Sequence, residues 1–236
     1  MAEDTGIIRV IQLDEDGNRS AFIENQSKHY PDPGNYLLGH NPADINEVLS
    51  VPLFPVSLKA SLEDSPHPIL GPIPNSWSPG TRLNLTGPVG NGFKLPHDIR
   101  HLALVSISGS IARLLPLINP SIATSADIAI FSPAPLQADS LPPSVEIHHL
   151  NAISENFSWA TFMVIDTPLP ELAKMRGLFG LNPYEKLPCP TQVLIQVSIP
   201  CGGLGECGAC AVPGSMGDYK LACVDGPVFD INTLRW

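Results

Sequence analysis

The N-terminal half of the chain alternates short apolar runs with turn-forming residues. Residues 7–13 (IIRVIQL) and 21–24 (AFIE) flank the segment DEDGNRS, in which Asp-Gly-Asn is a hairpin signal. Further apolar runs follow at 35–40, 51–62 and 81–87, separated by loops rich in proline and glycine. These runs are short and show no helical period, so the pattern predicts an N-terminal antiparallel β-barrel.

The pattern changes after residue 96, where strand-like runs begin to alternate with short helical segments. The strand-like runs are rich in aliphatic residues and lie at 101–108, 126–133, 145–150, 158–165 and 191–199. Residues 109–118 and 169–180 are predicted helices, and Gly180 is the predicted C-cap of the second. This alternation predicts a small α/β domain built on a parallel sheet.

Composition and charge exclude several classes of protein. A hydrophobic content of 43% excludes a disordered chain, and 26 prolines with only 15% charged residues fit short strands and fixed turns. The net charge is −10 and the pI is about 5.0. No segment is basic enough to follow a phosphate backbone, so we expect no nucleic-acid partner.

The start of the chain, MAEDTGIIRV, carries acidic residues where a secretory signal carries basic ones. The longest apolar runs are far too short to span a bilayer, so we expect no membrane association. The sequence therefore predicts a soluble, cytoplasmic protein. In a reducing compartment, clustered cysteines indicate metal or redox chemistry rather than disulfide bonds.

Four of the five cysteines gather in residues 201–223, the cysteine loop: Cys201, Cys207, Cys210 and Cys223. Their spacing, C-x5-C-x2-C-x12-C, has one residue more than the C-x4-C-x2-C of plant-type [2Fe–2S] proteins, which also use a distant fourth cysteine. Interleaved glycines adopt positive φ freely and let backbone N–H groups point at electron-rich sulfurs. The spacing favours a [2Fe–2S] cluster held by these four thiolates.

Two alternatives remain open for the same cysteines. Structural zinc also takes four thiolates, but zinc sites usually present two C-x2-C pairs, and this loop has a single one. Free or disulfide-paired cysteines are the other alternative, although disulfides need an oxidising compartment. The fifth cysteine, Cys189, lies between two prolines and is predicted to be a buried, inert thiol.

Read in full, the C-terminal segment resembles a known family. VSIPCGGLGECGACAV followed by YKLACVDGPVFD is similar to the electron-transfer subunit of two-subunit, NAD-dependent dihydroorotate dehydrogenases. LTGPVGNGFKLP at 85–96, the central turn, resembles the glycine-rich turn between that family's larger domains, and PDPGNYLLGH at 31–40 resembles the start of a flavin-binding barrel strand. The resemblance follows the order of the whole chain, with the C-terminal segment and the central turn as its distinctive parts.

The resemblance implies a ferredoxin-reductase-like protein in three parts. These are an FAD-binding-like barrel at 1–96, an NAD-binding-like α/β domain at 97–198 and a cluster-binding loop and tail at 199–236. It further implies single-electron transfer to the FMN of a catalytic dihydroorotate dehydrogenase partner, within a hetero-oligomer that serves pyrimidine biosynthesis. Another flavoprotein as partner, and a non-catalytic interaction subunit with a structural zinc loop, are the alternatives.

The implied flavin region combines a barrel strand with the central turn, at Ser50, Pro52, Gly87, Gly90 and Gly92. The family's strand carries an Arg-Pro-x-Ser type motif, and Val51 stands here in place of its arginine. Lys59 and Arg82 are the cations left to meet a flavin diphosphate, so FAD is an open candidate. In the α/β domain only Gly109 remains of the family's glycine triplet, which argues against NADH binding.

Overall fold

The computed structural model describes residues 3–14, 17–25, 30–58, 69–107, 109–182 and 185–236. Residues 59–62 of the predicted 51–62 run lie outside these ranges, and Lys59 lies outside with them. Ser108, in the predicted 101–108 run, also lies outside.

Six antiparallel strands of the N-terminal part close into a barrel. The strands are β1 (Glu3–Leu13), β2 (Arg19–Asn25), β3 (Tyr36–His40), β4 (Val51–Pro55), β5 (Ile69–Gly71) and β6 (Arg82–Val89). Around the barrel they follow the order β1-β2-β5-β4-β3-β6. The β1–β2 hairpin pairs Leu13 with Arg19 across the turn that Asp-Gly-Asn predicts. The predicted antiparallel barrel is thus confirmed.

The inside of the barrel is filled by apolar side chains. Alternation along β6 buries Leu83 and Leu85 and exposes Arg82 and Asn84, as a strand with one face on a core requires. Trp77 is fully buried within the same cluster. A filled interior leaves no room for a ligand, so any binding site must lie on the barrel's outer surface or where it meets its neighbours.

A second, six-stranded sheet follows in the chain. Its strands are β7 (His101–Ser106), β8 (Asp127–Ser132), β9 (Val145–His149), β10 (Phe162–Pro168), β11 (Thr191–Gln196) and β14 (Val228–Asp230). A small hairpin of β12 (Ala211–Pro213) and β13 (Tyr219–Leu221) precedes β14 in the chain. The sheet has the order β14-β11-β10-β7-β8-β9, and β12 pairs with β13 separately. Strands β7 to β11 are parallel, whereas β14 runs antiparallel to β11. The predicted parallel sheet is confirmed.

The helices are shorter than the sequence pattern predicts. The helices are α1 (Ile118–Ala123), α2 (Ile153–Asn156) and α3 (Met175–Leu178). The predicted 109–118 helix was placed too early, because a turn and a 3₁₀ segment at 115–117, which contains Pro116, precede α1. The first half of the predicted 169–180 helix is a 3₁₀ segment at 169–174, and α3 follows it; Gly180 does adopt the expected positive φ, at 66°.

None of the described helices is long and apolar enough to cross a membrane.

One hydrophobic cluster joins the barrel, the second sheet and the cysteine loop. Its buried members include Tyr36 and Phe54 of the barrel, Ile165 of the sheet, and Cys210 and Cys223 of the loop. The loop is therefore packed against both neighbours. This continuous core determines which barrel residues face the cysteines.

Candidate metal centre

Cys210 and Cys223 form an inner pair held together by the small β12–β13 hairpin. Ala211 of β12 pairs with Leu221 of β13, so the cysteine before the first strand meets the cysteine after the second. The Ala222 N–H donates to the Cys210 carbonyl at 3.0 Å, and the Cys210 thiol donates to the Cys223 sulfur at 3.3 Å. Both side chains are buried. The hairpin thus places two sulfurs side by side inside the protein.

Cys201 and Cys207 form an outer pair in the glycine-rich part of the loop. The Cys207 thiol lowers the pKa of Cys201 most strongly, and the backbone N–H groups of Cys207, Gly205 and Glu206 add to its effect. Together they outweigh the opposing effect of burial and bring this pKa to about 6. Cys207 is exposed and Cys201 is half-buried. A thiolate that is already stable at neutral pH is ready to bind a metal.

Cys223 of the inner pair has the opposite protonation state. Burial raises the pKa of Cys223 to about 12, and the hydrogen bond and the charge of Cys210 act in the same direction. In the metal-free protein this thiol therefore keeps its proton at neutral pH. Binding of a metal at the inner pair must release that proton, since the thiolate is the ligand.

Positive-φ glycines shape the turn between the two pairs. Gly202, Gly203, Gly205 and Gly208 have φ angles of 66°, 82°, 77° and 68°. Three of them lie between Cys201 and Cys207, where they accommodate the residue that is additional to the plant-type spacing. A Cβ at Gly203 would lie 3.4 Å from Val89 and 3.6 Å from Leu38, so the loop lies directly on the barrel.

Asp225 and the central turn hold the segment that carries the last cysteine. The Asp225 carboxylate accepts from the Leu221 N–H at 2.7 Å, and the Asp225 N–H donates to the Leu221 carbonyl at 2.7 Å. Asn91 of the central turn donates its side-chain N–H to the Asp225 carbonyl at 2.9 Å and its backbone N–H to Gly226 at 2.5 Å. These bonds fix Cys223 against the barrel. The sequence provides no local signal for the role of Asn91, because its partners lie far along the chain.

The glycines of the predicted flavin region lie where the barrel packs closely against its neighbours. A Cβ at Gly90 would lie 2.5 Å from Pro227, one at Gly92 would lie 2.8 Å from the Pro33 carbonyl, and one at Gly87 would lie 3.1 Å from the Tyr36 carbonyl. Close backbone packing thus accounts for all three glycines. Their part in flavin binding stays a prediction.

The other two residues of the predicted flavin region lie on the barrel strand and just before it. Ser50 lines a surface pocket of about 560 Å³ together with Leu38, His40 and Asn84. Pro52 lies in β4 and pairs with Leu38 of β3. Leu38 in turn pairs with Thr86 of β6, the residue before Gly87. The flavin role of Ser50 and Pro52 also stays a prediction.

A second cleft of about 560 Å³ lies between the barrel and the carboxyl edge of the parallel sheet. Among the described residues, its lining includes Arg19, Val56, Arg113 and Gln196, and none of the five predicted flavin residues. The carboxyl edge of a parallel sheet is the usual position of ligand sites in α/β domains. This cleft is therefore the position in the fold that best suits a nucleotide-like ligand.

A buried polar network closes one side of this cleft. Asp166, at the end of β10, is 0% exposed and accepts from Arg113 Nε at 2.8 Å and from Gln196 Nε2 at 2.7 Å. The Arg113 guanidinium also lies 5.9 Å from the ring centre of Phe54 in the barrel. This network was not predicted from the sequence, although the aspartate that follows the apolar residues in FMVID was a usable signal.

Tyr36 of β3 reaches the cysteines from the barrel side. Its side chain is 0% exposed, and its hydroxyl has no hydrogen-bond partner among the described residues. Burial raises its pKa above the ordinary tyrosine value, and the thiols of Cys223, Cys210 and Cys201 raise it further. The phenol is therefore protonated and lies near three of the four predicted ligands. The proximity of Tyr36 to these cysteines was not predicted from the sequence either.

The thiols are arranged as two pairs rather than around one point. Within the described ranges, no group of three or more histidine, cysteine, aspartate or glutamate side chains is placed to hold a metal ion. A structural zinc ion requires four ligands at the corners of one tetrahedron. The two pairs together offer four thiol sulfurs, the donor type that iron–sulfur clusters use.

Residues 199–235 match a family model described as the iron–sulfur cluster binding domain of dihydroorotate dehydrogenase B. The C-terminal segment is therefore similar to this domain family. The resemblance that the cysteine loop and the VDGPVFD tail carry is thereby confirmed. The match, together with the fold, supports an electron-transfer subunit that binds an iron–sulfur cluster. No match is found among curated protein sequences.

Solved structures share the whole architecture at low sequence identity. An NADH-dependent reduced ferredoxin–NADP oxidoreductase, described in connection with flavin-based electron bifurcation, is 18% identical with a TM-score of 0.73, over 98% of this chain and 90% of that one. Phthalate dioxygenase reductase is 13% identical with a TM-score of 0.52, over 97% and 76%. The ferredoxin reductase in carbazole 1,9a-dioxygenase is 14% identical with a TM-score of 0.51, over 76% of this chain and 61% of that one. At these identities the likeness establishes a ferredoxin-reductase-like fold.

Proposed function

We propose that this chain is an electron-transfer subunit carrying a [2Fe–2S] cluster on Cys201, Cys207, Cys210 and Cys223. The observation that carries the proposal is the arrangement of the four thiols in two pairs, within a segment that matches an iron–sulfur cluster binding domain. The donor set suits the group, because thiolate sulfur is the usual protein ligand of such clusters. A structural zinc loop, the competing assignment, calls for a single tetrahedral site.

When bound, the cluster supplies one-electron transfer. The residues of this chain hold it and control its surroundings. The inner pair anchors it in the hydrophobic core, while the outer pair lies at the surface, with Cys207 exposed. Backbone N–H groups of the glycine-rich turn point at the outer pair, and burial on the barrel side limits solvent. Both effects tune the reduction potential of an iron–sulfur centre.

The partner we propose is an FMN-containing catalytic dihydroorotate dehydrogenase subunit, which would place this chain in pyrimidine biosynthesis. The family match supports this partner. The surface around the outer pair supports docking, because Leu204 is 61% exposed and Val224 is 54% exposed beside it. Exposed apolar side chains next to a redox centre are suited to a protein interface that brings two cofactors close together.

Leu204→Glu should weaken the complex with the catalytic subunit by tenfold or more, because it buries a charge in the proposed interface. Titration calorimetry with the purified catalytic dihydroorotate dehydrogenase subunit measures the affinity. Ile45→Glu is the matched control, since Ile45 is 93% exposed on the barrel, and it should leave the affinity unchanged. Equal affinities of Leu204→Glu and Ile45→Glu would rule out the Leu204 surface as the interface. Absence of binding by the unmodified chain would instead point to another flavoprotein as the partner.

Anaerobically purified protein should contain two irons and two acid-labile sulfides per chain, as a [2Fe–2S] cluster requires. Its visible absorption should bleach with dithionite, and the reduced protein should give a rhombic signal in electron paramagnetic resonance. Metal and sulfide analysis together with these spectra test the assignment. Colourless protein with one zinc per chain would establish the competing structural metal loop instead.

FAD is the second cofactor we propose, in the cleft between the barrel and the parallel sheet. The volume of the cleft and its position at the carboxyl edge favour the flat ring system of a flavin. The two arginines of the cleft are less able to bind the diphosphate, since both already have partners. Arg113 binds Asp166, and Arg19 binds the carbonyls of Pro74 and Trp77. Heat denaturation of the same preparation tests for FAD, because a bound flavin is released into the supernatant with yellow fluorescence. A colourless supernatant would remove FAD from the proposal.

A further inference from the structure

Tyr36 lies where the barrel, the central turn and the end of the cysteine loop meet. A Cβ added at Gly90 would lie 3.1 Å from Tyr36 Cε1 and 2.5 Å from Pro227 Cδ, so the ring edge of the tyrosine and the tail that follows Cys223 flank the same glycine. On its other side the ring packs against Phe54, with ring centres 5.3 Å apart. These contacts fix the ring in a single orientation next to the cysteine loop.

The hydroxyl of Tyr36 has no hydrogen-bond acceptor among the residues the structure describes. A buried hydroxyl without a partner is destabilising, and such groups are rare in native proteins. Phenylalanine would fill the same space without this cost, because the surrounding cluster is apolar. The hydroxyl therefore needs an acceptor, and in the described part of the chain it makes no hydrogen bond to one.

The sulfurs of the cysteine loop are the groups best suited to accept the Tyr36 hydrogen bond. Cys210 and Cys223 belong to the same hydrophobic cluster as Tyr36. Cys223, Cys210 and Cys201 each raise the pKa of Tyr36 electrostatically when they are thiolates, with Cys223 the strongest of the three, so the phenol lies near their sulfurs. A phenol held in its protonated form is a donor, and cluster sulfur and thiolate sulfur are electron-rich acceptors.

We propose that the Tyr36 hydroxyl donates an O–H···S hydrogen bond to a sulfur of the cluster held by the inner pair, and that this bond raises the reduction potential of the cluster. The proposal rests on the proposed function, since it requires a bound cluster. Reduction adds negative charge to the sulfurs, so a donor stabilises the reduced form more than the oxidised form. The barrel thereby sets the potential of a cluster whose ligands all come from the C-terminal segment.

Tyr36→Phe in the cluster-loaded full chain tests the bond. A titration of the reduced signal by electron paramagnetic resonance should show a reduction equilibrium about tenfold less favourable than in the unmodified chain, which corresponds to about 59 mV for a one-electron couple. Tyr219→Phe is the matched control, since Tyr219 is 69% exposed on β13, and it should leave the potential unchanged. An unchanged potential in Tyr36→Phe overturns the proposal.

A second measurement keeps the test decisive if Tyr36→Phe loads its cluster poorly. In the unmodified chain, electron–nuclear double resonance of the reduced cluster should show a strongly coupled proton that is lost on brief exchange into D₂O, before the slowly exchanging hydrogen-bonded backbone amides are deuterated. If Tyr36→Phe does load, its spectrum should lack this proton while that of Tyr219→Phe keeps it. A cluster-loaded chain without such a proton overturns the Tyr36 proposal alone, whereas a chain without iron and sulfide overturns the proposed function.

Discussion

We expect Cys210→Ser to abolish the cluster-derived absorption and the paramagnetic signal of the reduced protein. Cys210 is buried beside Cys223, with 3.3 Å between their sulfurs, so its loss removes one of the two ligands of the inner pair. A serine hydroxyl is a poor replacement for a thiolate toward iron at neutral pH. Iron content and the visible spectrum of the anaerobically purified variant measure the effect, which should approach complete loss.

Cys189→Ser is the matched control for this substitution. Cys189 is half-buried, and the Thr191 hydroxyl donates to its carbonyl at 3.0 Å, a bond that serine leaves in place. Burial raises the pKa of its thiol, which keeps it protonated and unreactive. Its spectrum and iron content should match those of the unmodified chain. If Cys189→Ser loses the cluster and Cys210→Ser retains it, the ligand set has been assigned wrongly.

Gly90→Ala should cause a much larger loss of stability than Gly80→Ala, although both glycines lie at positive φ, 82° and 91°. Both substitutions place a side chain in the left-handed region, which lowers the free energy of unfolding by about 1–2 kcal/mol. A Cβ at Gly80 meets nothing within 4 Å, whereas one at Gly90 meets Pro227 at 2.5 Å and the Gly226 carbonyl at 2.8 Å. Overpacking of this kind adds about 1–3 kcal/mol. Gly90→Ala should therefore push the central turn away from the Gly226–Pro227 segment.

Thermal unfolding of the cluster-loaded variants measures this difference. For a chain of this size, 1 kcal/mol corresponds to about 2–4 °C in Tm, so Gly90→Ala should melt several degrees below Gly80→Ala. Gly90→Ala should also lose iron faster, because Gly226 and Pro227 follow Cys223 closely. Equal Tm values for the two variants would show that the central turn does not hold the cysteine segment.

Much of the fold followed from local patterns in the sequence. Apolar runs separated by Gly- and Pro-rich turns predicted the barrel, and the alternation of strands with helices predicted the parallel sheet. Helix extent was harder to predict, because the 169–180 segment has a helical composition but its first half forms a 3₁₀ segment and only four residues form an α-helix. Short segments of this kind take their conformation largely from packing, which local propensity describes poorly.

The candidate site divides in the same way. The cysteine spacing and the tail after Cys223 were sufficient to predict an iron–sulfur segment, because three of the ligands lie in one short loop. The glycines of the central turn were recognised as a motif, but their contacts were not. The structure shows Gly90 and Asn91 packed on the Gly226–Pro227 segment.

The sequence by itself determined the fold class and predicted the four sulfur ligands, since strand periodicity, turn chemistry and ligand spacing are local properties of the chain. Only the tertiary structure decided which surfaces meet the cysteines. Tyr36 and Cys223 are far apart in the chain, and so are Arg113, Asp166 and Gln196, yet each set shares one buried environment. Contacts of this kind depend on how the barrel and the sheet pack together, and that packing brings a barrel hydroxyl to the cysteines of the C-terminal segment.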